Sequence, residues 1–357
     1  MKDFQPRRWL RNGHLQTIVG NFLPRVDRLP APSTEIVPVP LPAEMLLLPE
    51  AVALDRLLPS KVLCHCHWQP GGPYAVTVVL VHGLEGSSYS QYVVGNSNKL
   101  FAAGFNVVRM NMRTCGGTEA LAPTFYHSGM SGDVTAVLRW LIARGLTRVM
   151  LAGYSMGGNL VLKAAGELGA DAPPELAGVV AVSPPMDLGE SADALHHWSN
   201  RIYEKRFLRN LLRRNRRKVR LYPSVFTTRY AARVRSIRDF DEHIMTPHCG
   251  FSGADDYYAR SGSSRVLDHI AVPTLVLHAL DDPFIRLTAA THAKLQANPH
   301  ITLLEPQHGG HCAFLEEPHE GYDGRWAEEQ VLHFAQGLAA ATTSPRTAHP
   351  QEAATAC

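Results

Sequence analysis

The chain has 357 residues, of which 45% are apolar and 19% charged, with a net charge of +3. That balance excludes disorder for the bulk of the chain, and the length accommodates two ordinary domains or one large α/β domain carrying an insertion. Cysteines at 64, 66, 115, 249, 312 and 357 lack the dense spacing of a disulfide scaffold, so a reducing cytoplasm is the expected compartment.

From Met1 to Trp9 no apolar segment follows the charges, and the apolar run from Val76 to Val81 is too short to cross a bilayer. Neither a signal peptide nor a transmembrane helix is expected. Val76 to Val81 is continuous, β-branched and bounded by turn residues, which reads as a strand buried on both faces. Runs of the same type follow at Phe105 to Met110, Arg148 to Ala152, Gly178 to Val182, Thr274 to His278 and Ile301 to Leu304. Helical patterns lie between most of them. Val134, Val137, Leu138, Leu141 and Ile142 form an apolar stripe suited to a helix packed on a sheet, and another helix is predicted from Ser155 to about Gly166. The alternation predicts an α/β fold with a mostly parallel central sheet flanked by helices.

Between Met186 and about Asp268 the alternation breaks, and the sequence turns polar, basic and aromatic with helical spacing. We read residues 1–185 and 269–339 as one core, 186–268 as an inserted helical cap or lid, and 340–357, rich in Ala, Thr, Ser and Pro, as a disordered tail.

Gly153-Tyr154-Ser155-Met156-Gly157 directly follows a predicted strand and directly precedes a predicted helix, the setting that a G-x-S-x-G elbow requires. Its glycines are needed because side chains flanking a strained serine would collide with each other or with the neighbouring strand. A serine hydroxyl needs a base to remove its proton and an acid to hold that base in one tautomer. Downstream, Thr274 to His278 ends in Ala279-Leu280-Asp281-Asp282-Pro283, where Asp282 is preferred as the acid because it directly precedes the turn at Pro283, and Asp281 is read as fixing the loop. Ile301 to Leu304 ends in Gln307-His308-Gly309-Gly310-His311, with His311 as the base and His308 as its rival. Backbone amides of Met156, at a helix start, and Leu84, in the turn His82-Gly83-Leu84-Glu85-Gly86, are the expected donors to a developing oxyanion.

With these residues the chain resembles the YheT-like branch of the α/β-hydrolases. The resemblance rests on Arg11-Asn12-Gly13-His14-Leu15-Gln16-Thr17, His82-Gly83-Leu84-Glu85-Gly86-Ser87-Ser88, Asn111-Met112-Arg113-Thr114-Cys115-Gly116-Gly117-Thr118, Tyr126-His127-Ser128-Gly129, the serine elbow, Asp281-Asp282-Pro283-Phe284 and His308-Gly309-Gly310-His311. It implies an α/β-hydrolase fold, a triad of Ser155, Asp282 and His311, and an intracellular esterase with short or medium acyl preference. One departure is Thr114, where the branch usually has Asn or Gly.

Cys64-His65-Cys66-His67 has ligand-type residues, but alternation along a strand would turn the cysteines to one face and the histidines to the other, so no metal is expected there. Cys115 and Cys312 read as small buried apolar residues. The stretch from Arg201 to Arg220 holds ten Arg or Lys residues against Glu204 alone. It has three readings: a solvated helical face with Leu208, Leu211 and Leu212 on its apolar side, a peripheral contact with anionic lipid, or a nucleic-acid surface, for which no motif is present.

The leading expectation is a cofactor-free carboxylic ester hydrolase working through an acyl-serine on short- to medium-chain esters or acylglycerols. An acyltransferase would use the same triad, and a non-catalytic binding protein would keep only the fold. Epoxide hydrolase or dehalogenase chemistry would need a carboxylate where Ser155 stands.

Overall fold

The computed structural model describes residues 3–340. The six anticipated strands are β3 Thr77–Val81, β4 Asn106–Asn111, β5 Val149–Tyr154, β6 Leu176–Val182, β7 Thr274–Leu277 and β8 Ile301–Leu304. Two further strands precede them, β1 Ser33–Pro38 and β2 Lys61–His67. All eight form one sheet in the order β1-β2-β4-β3-β5-β6-β7-β8. β1 and β2 pair antiparallel, as do β2 and β4, and every other pair is parallel. Prediction missed β1 because it is an exposed edge strand carrying Thr34, Glu35 and Pro38, with only Val37 buried.

Eleven α-helices accompany the sheet among the described residues, besides short 3-10 turns: α1 Gly13–Phe22, α2 Pro49–Leu57, α3 Gln91–Ala102, α4 Ser131–Ala143, α5 Met156–Leu168, α6 Leu188–His196, α7 Arg201–Leu221, α8 Ile237–Phe240, α9 Ala254–Ser261, α10 Ala289–Ala297 and α11 Trp326–Ala340. Strand alternation divides the core into two layers. Val79, Val81 and Val276 join the cluster that includes Val134 and Leu138 of α4 and Leu160 and Val161 of α5. Val78, Leu80, Leu275 and Leu277 point the other way, into a cluster with Val93 and Leu100 of α3 and Val331 of α11. The sheet is therefore covered on both faces.

Between β6 and β7 the chain is helical throughout its regular elements, from α6 to α9, with a single π-helical turn at Asp241–Met245. Of the tail expected from residue 340, Ala340 is the last residue of α11, and residues 341–357 lie outside the described residues. Cys64 and Cys66 of β2 are fully buried in the first core layer.

The turn after β4 is anchored by a buried ion pair. Arg113 donates from Nε and Nη2 to the two carboxylate oxygens of Asp133 at 2.7 and 2.6 Å, and from Nη1 to Thr124 Oγ1 at 3.1 Å. Asp133 sits in the first turn of α4, where the helix dipole also favours a carboxylate. The next residue, Thr114, has φ of 63°, the left-handed region that Asn and Gly occupy more readily than a β-branched residue. Asp133→Ala would leave the Arg113 guanidinium buried without its counter-ion. We expect that variant to lose about 3–5 kcal/mol of unfolding free energy in urea titrations.

Candidate active site

The candidate residues converge at the carboxyl ends of the parallel strands, where ligands bind in open α/β sheets. Ser155 follows β5 with φ of 53° and ψ of −122°, so it stands outside the helix that was expected to begin on it, and α5 starts at Met156. The reason is steric. A Cβ at position 153 would lie 2.1 Å from the Gly157 carbonyl oxygen, and one at position 157 would lie 2.3 Å from the Val81 carbonyl oxygen. Only glycines allow β5 to turn this sharply and α5 to begin hard against β3.

His311, in the loop after β8, places Nε2 2.9 Å from Ser155 Oγ and Nδ1 2.8 Å from Asp282 Oδ2. Asp282, in the loop after β7, is buried, and its other oxygen accepts the amides of Phe284 at 3.1 Å and Ile285 at 3.0 Å. Burial opposes the Asp282 charge, but the His311 imidazole, His278 and the Ile285 amide prevail and hold the carboxyl below its ordinary value. For His311, burial likewise opposes charge, and the Cys312 sulfur and the Asp282 carboxylate outweigh it, so its pKa is raised above 6.5. The two rivals meet each other instead. His308 Nδ1 lies 3.3 Å from Asp281 Oδ2, and Asp281 Oδ1 accepts the Gly310 amide at 2.8 Å.

The histidine loop is held from outside the sheet by α1. Thr17 Oγ1 accepts the His311 amide at 2.8 Å, and Gln16 bonds both the amide and the carbonyl of Leu315. Ser183 Oγ, after β6, accepts the Cys312 amide at 3.0 Å.

The turn after β3 lies against the serine, since a Cβ on Gly83 would meet Ser155 Cβ at 3.0 Å. The Gly83 amide donates to Tyr92 Oη at 2.7 Å and the Glu85 amide to Tyr126 Oη at 3.1 Å. Between them the Leu84 amide, like the Met156 amide at the α5 terminus, donates to no described group. His82 fixes the turn from below: Nε2 accepts the Met112 amide at 3.1 Å and Nδ1 donates to the Gly83 carbonyl at 2.7 Å. Burial lowers its pKa to about 4, so this ring is a neutral strut.

Beside Ser155 lies a mainly apolar cavity with an empty volume of about 780 Å³, part of it open to solvent. Leu84 and Met156 line the end near the serine, and Leu195, Phe207, Leu211 and Phe240 come from the helical segment between β6 and β7. Polar side chains interrupt this wall, among them His127, Ser128, Ser191 and the pair Asp241 and Tyr258. Tyr258 Oη donates to Asp241 Oδ2 at 2.7 Å, and burial pushes the Asp241 carboxyl up to about 7. It stands on the π-helical turn, a distortion that often accompanies functional positions.

A family model described as alpha/beta hydrolase fold matches residues 76–318. YheT of Escherichia coli (strain K12) is 33% identical over 88% of this chain and 87% of its own length. The chain belongs to the α/β-hydrolase family. This serine hydrolase is also 26% identical to a protein of Saccharomyces cerevisiae named monoacylglycerol lipase, over 72% of this chain and 58% of that protein. The Pyrococcus furiosus esterase Pf2001 shares its fold, with a TM-score of 0.53 at 14% identity over 95% of this chain and 98% of that one.

Sequence reasoning missed how the hydrolase uses its basic stretch. The reading of Arg201 to Arg220 as a solvated face holds for its other cations and needs correction at two positions, because Arg214 and Lys218 are buried. Arg214 Nε donates to Glu85 Oε1 at 2.8 Å, its Nη2 to Oε2 at 3.2 Å, and its Nη1 to the Thr114 carbonyl. Lys218 bonds the carbonyls of Glu119 and Ala122, and burial lowers its pKa to about 7. The signal was available. Arg214 and Lys218 continue the Leu208 and Leu211 face at helical spacing, so they point inward with it.

Replacing Arg214 with Met removes the cation that holds the Glu85 turn. We expect a loss of about 3 kcal/mol in stability and faster amide hydrogen exchange across residues 83–86, read by mass spectrometry.

Proposed function

We propose that this hydrolase cleaves carboxylic esters through an acyl-serine intermediate, with Ser155 as nucleophile, His311 as general base and acid, and Asp282 as the residue that orients His311. The observation that carries the reading is the unbroken hydrogen-bond chain from Ser155 Oγ through His311 to Asp282, at 2.9 and 2.8 Å. Ser155 Oγ attacks the ester carbonyl carbon while its proton passes to His311 Nε2. The carbonyl oxygen becomes an oxyanion facing the Leu84 and Met156 amides, donors of a kind worth about 3–4 kcal/mol each to the transition state. Collapse expels the alcohol, which takes the proton from His311. Water then attacks the acyl-serine by the same route, releasing the acid and restoring the serine.

The substrates that fit this wall are short- to medium-chain acyl esters or acylglycerols. The apolar cavity suits an acyl chain of modest length, and the Asp241 and Tyr258 pair supplies one point where a substrate hydroxyl can bond. The yeast relative named monoacylglycerol lipase supports the same class.

The deciding assay is hydrolysis of chromogenic acyl esters of graded chain length by wild type and Ser155→Ala. Activity should peak at a short or medium chain and fall in the variant by at least ~10⁴-fold. A variant that retains wild-type rates removes Ser155 from the mechanism. A new ester formed when glycerol is added would instead assign acyl transfer.

The pH profile checks the other two residues. His311 accepts a proton only when neutral, and its pKa is raised, so kcat/KM should fall as pH drops through an apparent pKa above 6.5. Asp282→Asn removes a carboxylate that raises it, so the acid limb should move to lower pH while kcat drops ~10⁴-fold.

A further inference from the structure

Helix α1 presents two different faces. Gly13, Gln16 and Thr17 are buried against the loops carrying Asp281 and His311. On the opposite side Leu15, Ile18 and Phe22, spaced i, i+3 and i+7, are 46, 38 and 69% exposed. The stripe continues onto the neighbouring element. His14 stacks on Tyr203 of α7 at 5.9 Å between ring centroids, and Arg206 lies 5.5 Å from the Phe22 ring centre. Trp198, just before α7, and Ile202, in its first turn, are 76 and 75% exposed.

Cations flank this apolar strip. Arg201, Lys205, Arg206, Arg209 and Arg213 are exposed on α7 and pair with no described carboxylate, whereas Arg214 and Arg217 of the same helix are taken by Glu85 and Glu119. Tyr203 also connects the strip to the cavity wall. Tyr203 packs 5.3 Å from Phe284, which lines the cavity and lies 4.4 Å from the His311 ring.

An exposed apolar strip of this kind calls for a covering surface, and the charges choose which. A second copy meeting the same face would bring like cations together. A polyanion such as RNA would answer the cations and leave the aliphatic side chains uncovered. An anionic phospholipid surface answers both, because Trp, Phe, Leu and Ile enter the headgroup and acyl boundary while Arg and Lys remain at the phosphates.

We infer that the outward faces of α1 and of the first half of α7 form one docking surface for an anionic phospholipid bilayer, holding the cavity rim where lipophilic esters partition. The inference goes beyond the proposed reaction and stands on surface geometry that does not involve Ser155.

Its test is co-sedimentation of the full chain with vesicles of phosphatidylcholine alone or mixed with phosphatidylglycerol, at low and high salt. Wild type should sediment with the anionic vesicles, leave them at high salt and ignore phosphatidylcholine. Phe22→Asp with Ile202→Asp, and separately Arg206→Glu with Arg209→Glu, should each weaken binding at least ~tenfold. Both should keep wild-type rates on a soluble short-chain ester. If either pair shifts the thermal midpoint, Leu15→Gln with Ile18→Gln takes its place. Wild type that fails to bind anionic vesicles overturns the inference, as do variants that bind like wild type. So does a dimer in analytical ultracentrifugation that the Asp pair dissolves while vesicle binding persists, or single-stranded RNA binding that only the Glu pair abolishes in the absence of vesicle binding. Wild type inert toward every ester would sink the proposed reaction and leave the vesicle result to decide the surface.

Discussion

The close approach of α5 to β3 at the serine turn is the constraint on which the rest of the site depends. A Cβ at position 157 would lie 2.3 Å from the Val81 carbonyl oxygen, so the helix start and the strand end share space that only hydrogen can fill. This contact puts Ser155 beside the turn after β3, with α5 opening at Met156 directly after it. The left-handed backbone at Ser155 is the strain that the arrangement carries, and the buried, paired strands on either side maintain it.

A second layer of support comes from outside the sheet. Arg214 reaches from α7 to Glu85 and Thr114, and Lys218 reaches to Glu119 and Ala122, so the helical segment between β6 and β7 is fastened to the loops after β3 and β4. Both side chains are nearly removed from water; at Arg214 the partners outweigh the cost of burial, whereas at Lys218 burial prevails and lowers the pKa to about 7. The same helix therefore contributes apolar wall to the cavity through Phe207 and Leu211 and rigidity to the turn that carries Leu84. Cavity shape and amide position are coupled through one element.

Helix α1 plays the matching part on the histidine side. Thr17 and Gln16 hold the loop after β8, and a Cβ at Gly310 would meet the Gly13 carbonyl oxygen at 2.4 Å. The motif Arg11 to Thr17, distant in sequence from every other site residue, thus has a physical reason to accompany them. Gly13, Gln16 and Thr17 face the histidine loop together with Val19, while Leu15, Ile18 and Phe22 face outward, so most of the apolar side chains are turned the opposite way from those of an ordinary amphipathic surface helix.

Much of this was legible without coordinates. Continuous β-branched runs bounded by turn residues read as strands of a covered sheet, so the six parallel strands and the two-layer cover followed from hydrophobic pattern, and the glycine-flanked serine followed from its place between strand and helix; β8, expected to be buried on both faces, is instead a partly buried strand at the sheet edge. The edge strand β1 was not legible, because an edge strand in water carries little apolar signal. What the sequence by itself determined is what depends on neighbours along the chain: the strands, the elbow, and the chain order of Ser155, Asp282 and His311. Only the tertiary structure decided which carboxylate faces which histidine, that Arg214 and Lys218 are buried, and that Asp241 meets Tyr258 on the cavity wall. Those outcomes depend on desolvation and on distances of a few ångströms between segments remote in sequence, and local periodicity does not encode either.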